Sequence, residues 1–353
     1  MLEVPGSLAE LTPEYMSRAL SRAFPGASVE RIELGDVADG TNRRARIRLW
    51  YASGAGPSSV FVKIHGRILH RLALVALRAW RAEALLAESG VELAIEHPEF
   101  YAAATNPARI ACIVIMEDVT ARQGRPNDAT TALSVDEVAD GLAGLAKLHA
   151  AFWEQPLPGR LRFLAPWRLG RTWAPISRAS LAHGLHRLTR AGRDHLVPRH
   201  ITARSLEKQF RASAVLAQSG PQTVLHGDPH PGNTYGLPGD RTGFYDWQLV
   251  RRGDWGNDVG YFLAGSLEVA DRRANERELL AGYLDAARSA GASPPNFELA
   301  WQRYRSTPAF GLATWMHTYS AGSFQPDDVS LATIERFSAA YEDLETHRSI
   351  VAG

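Results

Sequence analysis

Cysteine is almost missing from this chain: Cys112 is the only one in 353 residues. A single thiol excludes an internal disulfide and a thiolate metal cluster. Lysine is scarce too. Lys63, Lys147 and Lys208 are the only three among 39 Lys and Arg residues, so a lysine standing where chemistry needs one is unusually informative. No run of about 18 apolar residues occurs, which excludes a bilayer-spanning helix. The first ten residues lack a basic stretch followed by an apolar core, so no secretory signal is expected. A net charge of +1 gives no broad field to attract nucleic acid or a membrane surface. These absences predict a soluble, cytoplasmic protein with neither of those partners. What remains is an ordinary globular balance, 45% apolar and 22% charged, in a chain long enough for one large domain or two.

Thr12-Pro13-Glu14 offers an N-cap, a proline at the first helical position and a first-turn acid, predicting a helix that stops before Pro25-Gly26. Residues 31–34 and 45–50 alternate apolar and polar, as strands do. Residues 35–42 between them read as a glycine-containing turn. Its backbone amides, Gly40 included, could cover phosphates, although Gly-x-Gly-x-x-Gly is lacking and a plain hairpin turn fits equally. Residues 60–64 form a third strand, 68–88 a helix, and 110–116 a buried strand. Residues 1–117 thus read as a sheet plus one long helix. Residues 118–353 read as mostly helical, with a capping signal at Ser134 opening a helix through Phe152.

The densest chemistry lies at His226-Gly227-Asp228-Pro229-His230-Pro231-Gly232-Asn233. Asp228 stands five positions before Asn233, just after the apolar run 223–225. Asp246 follows a second short apolar run. A phosphotransferase needs this layout: one acid to engage the acceptor hydroxyl, and an Asn and a second Asp to hold magnesium on the phosphates. Each residue alone also suits a turn or a strand end. Lys63 lies in an apolar strand, where an ammonium is costly unless paired. Glu83, twenty residues on, is the natural partner, and Glu88 a weaker one. His226 reads as a structural brace rather than a ligand, and Asp258 as a cap on the loop's backbone amides. Two rival readings stay open: a metal-dependent phosphoesterase using His226, Asp228 and His230, and a nucleotide-binding module without catalysis.

Lys63, Glu83, the block 224–233 and Tyr245-Asp246-Trp247-Gln248 together resemble the aminoglycoside phosphotransferase and choline kinase family. Trp247-Gln248 and the helix 146–153 are especially similar to its ecdysteroid-kinase-like branch. The resemblance implies an α+β, two-lobed, protein-kinase-like fold divided at 117/118, and ATP or GTP with Mg2+. It also implies a small hydroxylated acceptor and a hinge from Glu117 to Val119 that contacts the adenine. Two departures stand out. Gly227 replaces the Arg of a protein kinase's His-Arg-Asp, so activation through a phosphorylated loop is not expected. Trp247-Gln248 replaces Phe-Gly, so Asp246 is expected to switch little. Residues 160–211 hold twelve Lys or Arg against Asp194 and Glu207. If that stretch lines the acceptor pocket, a polycationic aminoglycoside is disfavoured; a solvated basic face is the alternative. Trp301, Tyr304, Phe310, Trp315 and Tyr319 suit either a pocket wall or a helical core.

Overall fold

A computed structural model describes residues 2–39, 42–164, 166 and 173–350. Helix α1 (Pro13–Leu20) opens at Thr12, whose hydroxyl accepts the Tyr15 amide at 3.2 Å. Five strands follow, β1 (Ser28–Asp39), β2 (Asn42–Ser53), β3 (Ser59–His65), β4 (Phe100–Asn106) and β5 (Ala111–Glu117). They form one antiparallel sheet in the order β1-β2-β3-β5-β4. Alternation divides its faces. Ala45, Ile47, Val60, Val62, Ile64, Ile113 and Ile115 pack with Met16 and Leu20 of α1. The intervening Arg44, Arg46, Phe61 and Lys63 line a cleft on the opposite face.

Two expectations fail in this half. The helix predicted over 68–88 is two helices, α2 (Ile68–Ala76) and α3 (Ala82–Ser89). The break turns on Arg78, which adopts φ +58°. An arginine in left-handed backbone is uncommon, and no Gly or Pro announces it. Part of α2 faces solvent: Ile68, Leu69 and Leu72 are exposed. The predicted turn over 35–42 is also too long. β1 continues through Gly35 to Asp39, crossing a register shift between Leu34 and Val37, and pairs with residues 43–45. Gly40 lies outside the described residues.

The larger remainder is mainly helical. Helix α4 (Val135–Ala151) starts at a capping box in which Ser134 and Glu137 satisfy each other's amides. Further on come α5 (Trp173–Arg190), α6 (Ala203–Ser219), α7 (Gly256–Ser266), α8 (Val269–Ser289), α9 (Phe297–Arg305), α10 (Pro308–Ala321) and α11 (Asp327–Asp343). Short strand pairs punctuate them: β6 (Arg125–Pro126), β7 (Gln222–Leu225), β8 (Thr234–Leu237), β9 (Arg241–Phe244) and β10 (Arg251–Asp254), with β7 on β10 and β8 between β6 and β9. The helices close on one core that includes Leu142, Leu145, Phe262, Leu280 and Phe337. Tyr304, Phe310, Trp315 and Tyr319 are buried in it and Trp301 packs against it, so the aromatic set is core. The fold is α+β, a small antiparallel sheet with its helices joined to a larger helical part. Among the described residues, no helix is long and apolar enough to cross a membrane.

Candidate active site

The site forms where β3 and α3 face the loops that follow β7 and β9. The Lys63 ammonium lies 2.7 Å from Glu83 Oε2 and also bonds Asp246 Oδ1. Lys63 is 5% exposed, so this cation is balanced by two carboxylates rather than by water. Burial favours the neutral amine, but Asp246 and Glu83 outweigh it and raise the lysine pKa. For Asp246, burial opposes ionisation, yet Lys63 and then Arg44 hold the carboxyl below its ordinary range. Glu83 moves the other way: burial dominates and raises it, against the pull of Lys63. Glu83 also accepts the Trp247 amide at 3.0 Å, and Asn42 Nδ2 donates to Gln248 Oε1 at 3.0 Å. Those two bonds pin the segment after Asp246 to the sheet half. Glu88 is exposed and takes no part.

Asp228 and Asn233 sit on the preceding loop. Asn233 Nδ2 donates to the Asp228 carbonyl at 2.9 Å and to its Oδ2 at 3.3 Å, which turns its own carbonyl oxygen away from Asp228. The Tyr245 amide donates to the Asn233 carbonyl at 3.0 Å, tying the two loops together. Asp228 stays 25% exposed, so a ligand can reach it. His230 Nε2 stands 3.8 Å from its Oδ2, with the ring edge-on to Trp315. Burial depresses the His230 pKa, against the pull of Asp228 and Asp246, and favours the neutral ring.

The loop is held from behind. Asp258, fully buried, accepts the amides of His226 at 2.7 Å and Gly227 at 3.0 Å. His149 approaches the same carboxylate at 3.4 Å and is itself fixed by Tyr283. His226 spends both ring nitrogens on backbone: Nε2 reaches the Tyr245 carbonyl at 3.0 Å, and Nδ1 accepts the Asp228 amide at 3.3 Å. Gly227 has φ +90°, and a Cβ there would lie 2.1 Å from the Leu249 carbonyl oxygen, so only glycine fits. The Asp258→Ala variant strands two buried amides and should lose about 2–4 kcal/mol of stability. Urea unfolding checks this, and a loss below 1 kcal/mol would remove Asp258 as the loop's support.

The cleft between these elements spans about 660 Å³ of space, part of it open solvent, lined by Arg44, Phe61, Met116, Tyr245, Asp246 and others. Glu117 and Val119 also line it, but the Glu117 amide already donates to the Glu99 carbonyl at 2.8 Å, and its carboxylate holds Arg122. Asp118, which sequence reasoning passed over, locks this corner. Its buried carboxylate accepts Ser59 Oγ at 2.7 Å, Arg46 Nε at 2.7 Å and the Thr120 hydroxyl. Arg44 was missed as well, because its place opposite Lys63 depends on strand register. Among the described residues, no three His, Cys, Asp or Glu side chains group to hold a metal alone. The oxygens of Asp246 and Asn233 nevertheless fit magnesium, which takes few protein ligands when phosphates and water complete its shell.

The family model described as "Phosphotransferase enzyme family" matches residues 42–305, the family as a whole rather than its ecdysteroid-kinase-like branch. No curated protein matches the sequence. Among solved structures, choline kinase from Cryptosporidium parvum Iowa II superposes with TM-score 0.51 at 12% identity, covering 97% of this chain and 92% of that one. Aminoglycoside-3'-phosphotransferase of type VIII is 22% identical over 83% of this chain and 97% of its own, with TM-score 0.45. Spectinomycin phosphotransferase, solved with ADP and spectinomycin, is 15% identical over 93% and 99%, with TM-score 0.49. The choline kinase superposition shows the shared kinase-like fold.

Proposed function

The chain belongs to the phosphotransferase enzyme family, and from that premise we propose that it moves the γ-phosphoryl group of ATP to a hydroxyl of a small molecule. The observation that carries this reading is the buried Lys63 shared between Glu83 and Asp246. A structural ion pair needs one carboxylate; a lysine held between two at the back of a cleft is placed to receive phosphate oxygens. In this reading Lys63, oriented by Glu83, binds the phosphates. The segment 117–119 walls the base, and we keep Gly40, which lies outside the described residues, among the phosphate contacts. Asp228 accepts a hydrogen bond from the acceptor hydroxyl and aligns its oxygen for in-line attack. Asn233 and Asp246 supply oxygens to magnesium, which when bound neutralises charge on the phosphates. We keep the division at 117/118 as the boundary between nucleotide lobe and acceptor lobe.

The phosphoesterase alternative needs free imidazoles, and His226 has both nitrogens engaged by backbone. It also leaves the Lys63–Glu83 pair without a purpose.

The acceptor we propose is neutral or anionic rather than a polycation. The basic stretch 160–211 does not support this. Arg160 bonds the Ser89 carbonyl, Arg178 and Arg211 pair with Glu207, and Arg187 with Asp327. Arg162, Arg190, Arg193, Arg199, Arg204 and Lys208 are exposed, and Arg168 and Arg171 lie outside the described residues. The support comes from the neighbours of Asp228. His230 and Trp315 stand beside it, Arg251 bonds the Gly227 carbonyl, and the buried Tyr261 phenol is pushed further up by Asp228. Among these neighbours Arg251 is a cation and none is a carboxylate, so they offer a polyamine no countercharge beyond Asp228 itself. The test is ADP release with ATP and Mg2+ across a panel of neutral, anionic and aminated hydroxyl compounds. Turnover should require Mg2+ and favour the first two groups. Release of phosphate from phosphoesters without ATP would overturn the reading.

A further inference from the structure

We propose that Arg44 is a second phosphate-binding cation of the nucleotide site, beside Lys63 in the lining of the cleft. The proposal deepens the kinase reading and rests on it. Arg44 pairs with Lys63 across the β2–β3 ladder, so the two side chains leave the sheet on one face. Their neighbours Ala45 and Val62 point the other way, into the core under α1. Both cations line the same cleft, together with Asp246.

The charges of the cleft leave Arg44 over. Lys63 is taken by Glu83 and Asp246, and Arg46 by Asp118 at 2.7 Å. Arg44 has no carboxylate within ion-pair distance among the described residues, and its Nε is buried without an acceptor. A buried guanidinium nitrogen with nothing to donate to is costly in a free-standing fold. It makes sense if the missing acceptor arrives with a ligand. Arg44 shares the cleft lining with Lys63 and Asp246, the groups that would meet the phosphates in this reading. A planar guanidinium meets phosphate oxygens with two parallel N–H groups, which an ammonium cannot do.

The test is calorimetric binding of ADP and of adenosine, both in EDTA, to the full chain and to its Arg44→Met and Arg44→Lys variants. Methionine keeps the stem, and removing an unpaired nitrogen should leave the melting temperature unchanged. Arg44→Met should weaken ADP roughly 10- to 100-fold, the scale of a charge-assisted hydrogen bond, and leave adenosine within about twofold. Arg44→Lys should fall between, because charge returns without the fork. Unchanged ADP affinity in Arg44→Met, or an equal loss for adenosine, would overturn the proposal. If the wild-type chain bound no ADP, the kinase reading itself would fall.

Discussion

Replacing Asp228 by asparagine should lower kcat by about 10³-fold or more, the range of general-base and orienting contributions, while ADP affinity stays within about threefold. The substitution is nearly isosteric. It keeps the bond from Asn233 to the Asp228 carbonyl and leaves Lys63, Glu83 and Asp246 untouched. What disappears is the one anionic acceptor that is both partly exposed and held by the loop. An amide can accept a hydroxyl's hydrogen bond only weakly and cannot take its proton. Steady-state turnover and ADP calorimetry on the same preparation separate the two effects. A kcat within tenfold of wild type would move the hydroxyl-binding role elsewhere, and parallel loss of ADP affinity would mean that the loop had collapsed.

Lys63→Met should damage both chemistry and fold. It leaves Glu83 and Asp246 facing each other in a buried site without their cation. Breaking one partner out of a buried charge set costs about 3–5 kcal/mol, and kcat/KM should drop by about 10³-fold or more as phosphate binding is lost. The stability loss carries a pH signature. Burial already raises Glu83 even beside Lys63. Without the lysine, its folded pKa rises further above the unfolded value near 4.3. A raised folded pKa gives stability below the unfolded pKa that is lost as pH climbs through the folded one. The variant should therefore be closest to wild type near pH 5 and fall away by pH 8 in urea titrations. A Lys63→Met/Glu83→Gln double variant should recover much of the stability and none of the activity. Equal destabilisation at both pH values would show that Lys63 contributes packing rather than charge balance.

How much of this the sequence reveals depends on distance along the chain. The block from His226 to Asn233 is contiguous, so its chemistry could be seen directly. Lys63 stood out because lysine is rare and because an apolar strand is a poor place for one. Glu83 followed from placing it on a helix, although that helix proved to be α3 alone. The break at Arg78 was hidden, because left-handed arginine leaves no compositional mark. Arg44 and Asp118 were hidden for another reason. Each acts through a partner on a neighbouring strand or hinge, Arg44 beside Lys63 and Asp118 beneath Arg46 and Ser59. Register decides those meetings, and register is set by the whole sheet. The arginines between 160 and 211 taught the opposite lesson: a charge count says nothing about where a helix turns its charged side.

The glycine at 227 also narrows what this lineage can become. An arginine receptor for a phosphorylated loop would have to sprout from a position where even a methyl group meets the Leu249 carbonyl oxygen. Acquiring that style of control would take a rebuilt backbone rather than a point mutation.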